Sequence, residues 1–139
     1  MRFADTNVLL YAISSVTEER EKARRANEIL EEGDLALSTQ VLQEFYVQAT
    51  RATRGDAISH DQAVGVVESF LRFNVVEATA ALVLAAATTS ERFRISYWDA
   101  AILEAARFAG CEVVLSEDLN DGQDYAGVRV ENPFAMSGT

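Results

Sequence analysis

Short apolar runs alternate with helical patterns along the whole of this 139-residue chain, and that alternation restricts the fold more than any single residue does. Runs such as Leu35-Ala36-Leu37 and Glu112 to Leu115 are strand-like, and the stretches between them carry apolar residues at the helical period, which together indicate an α/β domain. Phe3-Ala4 leads into Asp5-Thr6-Asn7, so a first strand ends near Asp5, and Val8 to Ile13 forms a short buried helix. Thr17 to Glu32 reads as an exposed helix, with Thr17 as N-cap and Gly33 just past its end. Thr39 is expected to cap a helix bearing Val41, Leu42, Phe45 and Ala49, closed by Gly55. Ser59 to Gln62 has the capping-box form, and a strand is expected around Val75-Val76. Thr79 to Arg94 and the segment opened by Ser96 are the last helices, with Gly110 ending the second. A final strand covers Val128 to Val130.

The composition removes several kinds of chemistry. Half the residues are apolar (49%) and one proline is present, so a single compact domain is expected rather than disorder or a linker. No apolar run reaches the roughly 18 to 20 residues needed to span a bilayer and no signal segment is recognisable, so a soluble, cytoplasmic protein without a membrane partner is expected. One cysteine (Cys111) and one histidine (His60) can form neither an internal disulfide nor a four-ligand zinc site. One histidine with no nearby Ser or Cys elbow argues against a nucleophilic triad, and no glycine-rich phosphate loop is present in the sequence. Lys22, the only lysine, lies in a strongly charged stretch, which disfavours Schiff-base chemistry.

What remains is carboxylates. Ligands of open α/β sheets collect at the carboxyl ends of strands, and Asp5 and Asp118 both directly follow expected strands. Taken singly, each would ordinarily be a turn former or a helix cap. Asp99 stands three residues after Ser96, where a capping box would hold it, and a carboxylate in a first helical turn is favoured in its ionised form. Glu44 falls at the flank of its helix's apolar stripe, the place of an ordinary surface charge.

The motifs taken together change that balance. Asp5-Thr6-Asn7, with Leu9, Tyr11 and Ala12 behind it, resembles the opening of PIN-domain proteins of the VapC toxin type. The helix from Gln40 through Leu42, Glu44 and Phe45 resembles the second acidic motif of that family, and Trp98-Asp99-Ala100-Ala101-Ile102 the third. Ser116 to Gly122 resembles the fourth, and Asn132-Pro133-Phe134 the usual ending. The motifs occur in family order across nearly the whole chain. The resemblance implies a three-layer fold with a short central parallel sheet of four to five strands flanked by helices, a single domain over 1–134 and an irregular tail over 135–139. It implies Asp5, Glu44, Asp99 and Asp118 as catalytic, metal-binding carboxylates, supported by Thr6, Asn7 and Ser116. Asp121 competes with Asp118 for the fourth position, although Asp118 matches the spacing from the strand end better.

Oxygen ligands without a usable thiolate or imidazole indicate Mg²⁺ or Mn²⁺. By resemblance the activity is that of a toxin endoribonuclease hydrolysing RNA with a metal-activated water, partnered by a cognate VapB-like antitoxin and forming a homodimer. A lone histidine favours water attack over ribose 2′-hydroxyl chemistry. The formal charge of -10 opposes a nucleic-acid partner, although two divalent ions would bring it to about -6, and Arg24/Arg25, Arg51/Arg54 and Arg92/Arg94 could flank a site. The competing expectations are a Mg²⁺-dependent phosphatase or phosphotransferase with Asp5 as nucleophile, and a catalytically inactive PIN interaction module.

Overall fold

The computed structural model describes residues 1–135, so the expected tail beyond Ala135 lies outside the described residues. Six strands, β1 (Arg2–Ala4), β2 (Leu35–Ser38), β3 (Asn74–Val76), β4 (Val113–Leu115), β5 (Asp124–Tyr125) and β6 (Val128–Glu131), form one sheet in the order β3-β2-β1-β4-β6-β5. Every pairing is parallel except β5 with β6. The sheet therefore exceeds the expected four to five strands by the two-residue β5. That strand has too few side chains to show a period, and its return is made at Ala126 and Gly127, both at positive φ.

Six helices fill the crossovers: α1 (Thr6–Ala12), α2 (Arg20–Glu32), α3 (Thr39–Ala49), α4 (His60–Phe70), α5 (Ala80–Phe93) and α6 (Tyr97–Phe108). The chain moves outward from β1 to β2 to β3, then returns to place β4 on the other side of β1. Right-handed crossovers put α5 and α6 on the opposite face from the earlier helices, which is the three-layer arrangement of the sequence expectation. Helix α6 lies against β2, β4 and β6 and buries every residue from Ala100 to Ala106, whereas the charged α2 buries only Ala26 and Ile29. Phe3, Leu37, Phe45, Leu103, Val114 and Val130 are fully buried and join the sheet to the helices on it.

The helix starts show where local chemistry competes. Thr17 does not cap a long helix: Thr17–Glu19 is a 3₁₀ turn and α2 begins at Arg20 without a side-chain cap. Ser14 takes Glu19 instead, its hydroxyl donating to the carboxylate at 2.6 Å, which holds the entry tight. The α3 cap is Ser38 rather than Thr39, its hydroxyl accepting the N–H of Val41. Helix α3 also stops at Ala49, before Gly55. The capping box at Ser59 and Gln62 forms in full. No helix among the described residues is long and apolar enough to cross a membrane.

Candidate active site

The strand order reverses between β1 and β4, so their carboxyl ends bound a crevice. Asp5 follows β1 and its N–H donates to the carbonyl of Leu115, the last residue of β4. This bond seats the loop Ser116-Glu117-Asp118 beside the N-terminus of α1. Neighbouring β2 runs directly into α3 and carries Glu44 to the same edge. Asp5, Glu44 and Asp118 are thus brought together from three adjacent strands, close enough that the charges of Asp118 and Glu44 both act on Asp5.

Asp5 is 8% exposed and serves as the N-cap of α1. Its Oδ1 accepts the N–H of Thr6 at 2.7 Å and its Oδ2 accepts the Ser116 hydroxyl at 2.7 Å. Burial pushes its pKa up from 3.8 to about 6; these two hydrogen bonds oppose the shift, and the charges of Asp118 and Glu44 add to it. The cap and the candidate ligand are the same carboxylate, so the alternatives weighed from sequence are compatible.

Ser116, fully buried, joins the acids. While donating to Asp5 it accepts the N–H of Asp118 at 3.1 Å. Asn7 donates from Nδ2 to Asp118 Oδ2 at 3.1 Å and lies 3.5 Å from Ser116 Oγ, and its Oδ1 accepts the N–H of Glu117. Thr6 donates to Glu44 Oε2 at 2.9 Å, and Gln40 Nε2 donates to Glu44 Oε1 at 2.8 Å. Three of the carboxylates are therefore oriented by neutral donors, and Thr6, Asn7 and Ser116 are those expected from sequence.

Asp99 enters from α6, where its N–H donates to the Ser96 hydroxyl as the first half of a capping box. It is half-buried and its link to the others is indirect: Gln40, which holds Glu44, also reaches the carbonyl of Trp98 at 3.4 Å. Asp121 makes a different contact. Its Oδ1 accepts the N–H of Asn132 and ties the loop to the C-terminal segment, whereas Asp118 shares partners with Asp5.

Sequence reasoning missed a second network. Glu117 accepts from both Tyr11 and Lys22, and Lys22 also lies 3.2 Å from the Tyr11 hydroxyl. Burial raises the Glu117 pKa, but the bonds from Lys22 and Tyr11 outweigh it and hold the carboxyl below the usual range. Lys22, expected in an exposed charged stretch, is therefore engaged beside the candidate site; the partners are 95 residues apart, and only the tertiary fold reveals them. Among the arginines, Arg54 lines a cavity with Asn7, Tyr11, Glu117 and Asp118 and has Nε 2.8 Å from Asp56, outside hydrogen-bond alignment. Arg24 instead pairs with Glu21 and Glu28 on α2.

The donor set is all oxygen, as a hard divalent cation requires. Among the described residues no three acidic, histidine or cysteine side chains stand close enough to enclose an ion. Asp5 and Asp118 are joined through Ser116, whose hydroxyl donates to the Asp5 carboxylate and accepts the Asp118 N–H.

Fold and site together define an α/β domain with an acidic crevice at the switch point of a parallel sheet. The chain belongs to the PIN domain family, whose model matches residues 2–124. No curated protein matches it in sequence. Among solved structures it resembles a toxin–antitoxin complex from Klebsiella pneumoniae (TM-score 0.70, 20% identity, 98% of this chain and 100% of that one). It is also similar to VapC20 of Mycobacterium tuberculosis, described as a sarcin-ricin loop cleaving toxin (0.63, 19%, 85% and 90%). A third similar structure is DNA-bound VapBC from Salmonella typhimurium (0.63, 19%, 95% and 97%).

Proposed function

We propose that the chain is the toxin of a VapC-like toxin–antitoxin pair and acts as a metal-dependent endoribonuclease. The observation that carries this is the convergence of Asp5, Glu44 and Asp118 at the carboxyl ends of adjacent parallel strands in a PIN domain. Asp5 and Asp118 would hold Mg²⁺ or Mn²⁺, flanked by Glu44 and Asp99. When bound, such an ion acidifies a neighbouring water and offsets charge on phosphoryl oxygens. Ser116 and Thr6 keep both Asp5 oxygens fixed, and Asn7 and Gln40 do the same for Asp118 and Glu44, so the acids are positioned before substrate arrives.

A phosphotransferase with Asp5 as phosphoryl-accepting nucleophile is disfavoured by the placement of the only lysine. Lys22, the lysine such a phosphotransferase would place on the phosphoryl group, is committed to Glu117. A domain over 1–134, a homodimer and a VapB-like antitoxin whose basic segment would meet the acidic crevice belong to the same proposal. The test is incubation of the purified protein with total RNA and Mg²⁺, followed by mapping of new 5′ ends. Cuts made by the wild type and not by Asp5→Asn or Asp118→Asn are expected; an equal pattern from all three proteins refutes the proposal.

A further inference from the structure

Beside the carboxylates lies a groove whose chemistry differs from theirs. A cavity of about 360 Å³ is lined by Gln40, Gln43, Glu44, Val47, Gln48 and Trp98. Glu44 is its only charged lining residue, so the groove shares that carboxylate with the acidic crevice and offers no cation to a phosphate. Its other polar groups are three neutral amides: Gln43 and Gln48 can donate and accept, whereas Gln40, whose Nε2 serves Glu44 and the Trp98 carbonyl, keeps its amide oxygen as acceptor.

Trp98 is 63% exposed although its neighbours Ala100 to Ala106 are buried. The side chain is braced: the Tyr97 ring meets the indole edge-on with centroids 5.1 Å apart, and Gln40 reaches the Trp98 carbonyl. An exposed aromatic face held beside amide donors and acceptors is the arrangement that recognises an unpaired nucleobase, which offers a π-face to the indole and a hydrogen-bonding edge to glutamine.

We propose that Trp98 is the stacking platform for one unpaired base of the RNA substrate, read at its edge by the Gln43 amide and the Gln40 amide oxygen and lying next to the phosphate that enters the Asp5–Asp118 crevice. This rests on the ribonuclease proposal and adds to it a stacking contact at Trp98, which requires that base to be splayed from its neighbours. Trp98 is then a specificity and positioning residue.

Trp98 is the only tryptophan in the chain, so its fluorescence reports contact at this position. The Asp5→Asn protein, with Mg²⁺ present, is titrated with a short unstructured RNA, with the same RNA lacking one base in turn at each position, and with its duplex. Binding is followed in parallel by anisotropy of labelled RNA. Saturable quenching that tracks the anisotropy, and is lost with the duplex and with one of the base-less RNAs, is expected. Trp98→Ala should weaken RNA binding by roughly 5- to 150-fold, the range for loss of one stacked base, and Trp98→Phe should restore most of it.

RNA binding without quenching overturns the stacking platform and leaves the ribonuclease proposal standing. Absence of RNA binding by both the Asp5→Asn and wild-type proteins overturns both. If Trp98→Ala changes the mass measured by light scattering and leaves RNA affinity intact, Trp98 belongs to a protein interface and the proposal fails.

Discussion

Replacing Asp5 by Asn should stabilise the ion-free protein at neutral pH while abolishing its activity. Asp5 titrates near 3.8 when unfolded and at about 6 when folded. Between these values the unfolded chain has released a proton that the native protein still holds, so stability falls as pH rises through this window and is lowest above the folded pKa. A displacement of about two units corresponds to about 3 kcal/mol. Asn is uncharged throughout and escapes this loss, but it leaves Ser116 without its acceptor, a cost of about 1 kcal/mol. The net expectation is a gain of about 2 kcal/mol at pH 7.5 and none, or a slight loss, near pH 4. Urea unfolding of both proteins in EDTA across that range measures the difference directly. Added Mg²⁺ should then stabilise the wild type and not the variant, because a ligand bound only by the native state contributes according to its affinity. A stability difference that stays constant with pH, or an Asp5→Asn protein less stable at pH 7.5, would refute the account of a buried carboxylate in a repulsive cluster.

Four further outcomes follow from the same geometry. Cleavage of RNA should cease in excess EDTA and return with Mg²⁺ or Mn²⁺; undiminished cleavage in chelator removes the metal from the mechanism. Expression of the wild type alone should arrest bacterial growth and that of Asp118→Asn should not, as followed by culture density. Ser116→Ala deprives Asp5 of a donor and the Asp118 N–H of an acceptor in a fully buried position, so a loss of about 1 to 3 kcal/mol is expected in urea unfolding, with the Asp5 titration seen by NMR moving higher still. Lys22→Met should cost at most about 1 kcal/mol, the pair being partly exposed. Because the folded pKa of Glu117 is depressed, that contribution is present at neutral pH and lost as pH falls through it; a deficit persisting at pH 3 would be a packing effect.

Much of the architecture was legible because parallel strands buried on both faces are written as continuous apolar runs, and Leu35 to Leu37 and Val113 to Leu115 cannot be satisfied otherwise. The PIN assignment was legible for a different reason: acids placed by four separate elements kept their order and spacing. Strand β5 escaped because two residues carry no period, and the start of α2 because Glu19 found Ser14 instead of a backbone donor. The Lys22–Glu117–Tyr11 network was invisible for want of any local signal. Helix α2 reads as a solvated charged face, and only the seating of the β4 loop against α1 turns one of its cations inward.

The net charge, the strongest sequence argument against a nucleic-acid partner, also looks different once its distribution is known. Of the basic groups expected to flank a site, Arg24 and Arg25 answer acids on their own helix, and Arg54 meets Asp56 while lining a cavity with Asn7 and Asp118. The crevice holds its carboxylates with Thr6, Asn7, Gln40 and Ser116, all neutral, where a lysine or arginine would have neutralised them permanently. A buried carboxylate balanced by neutral donors keeps its proton up to about pH 6 and remains open to a mobile cation, whereas one paired with a fixed guanidinium would be ionised and closed to it. Under the proposed function, charge compensation would fall to a cation from solution, and recognition of RNA would draw in part on groups that are not cationic. An exposed indole among three glutamines, one residue from Asp99 and lining the same groove as Glu44, is the part of this surface able to supply it.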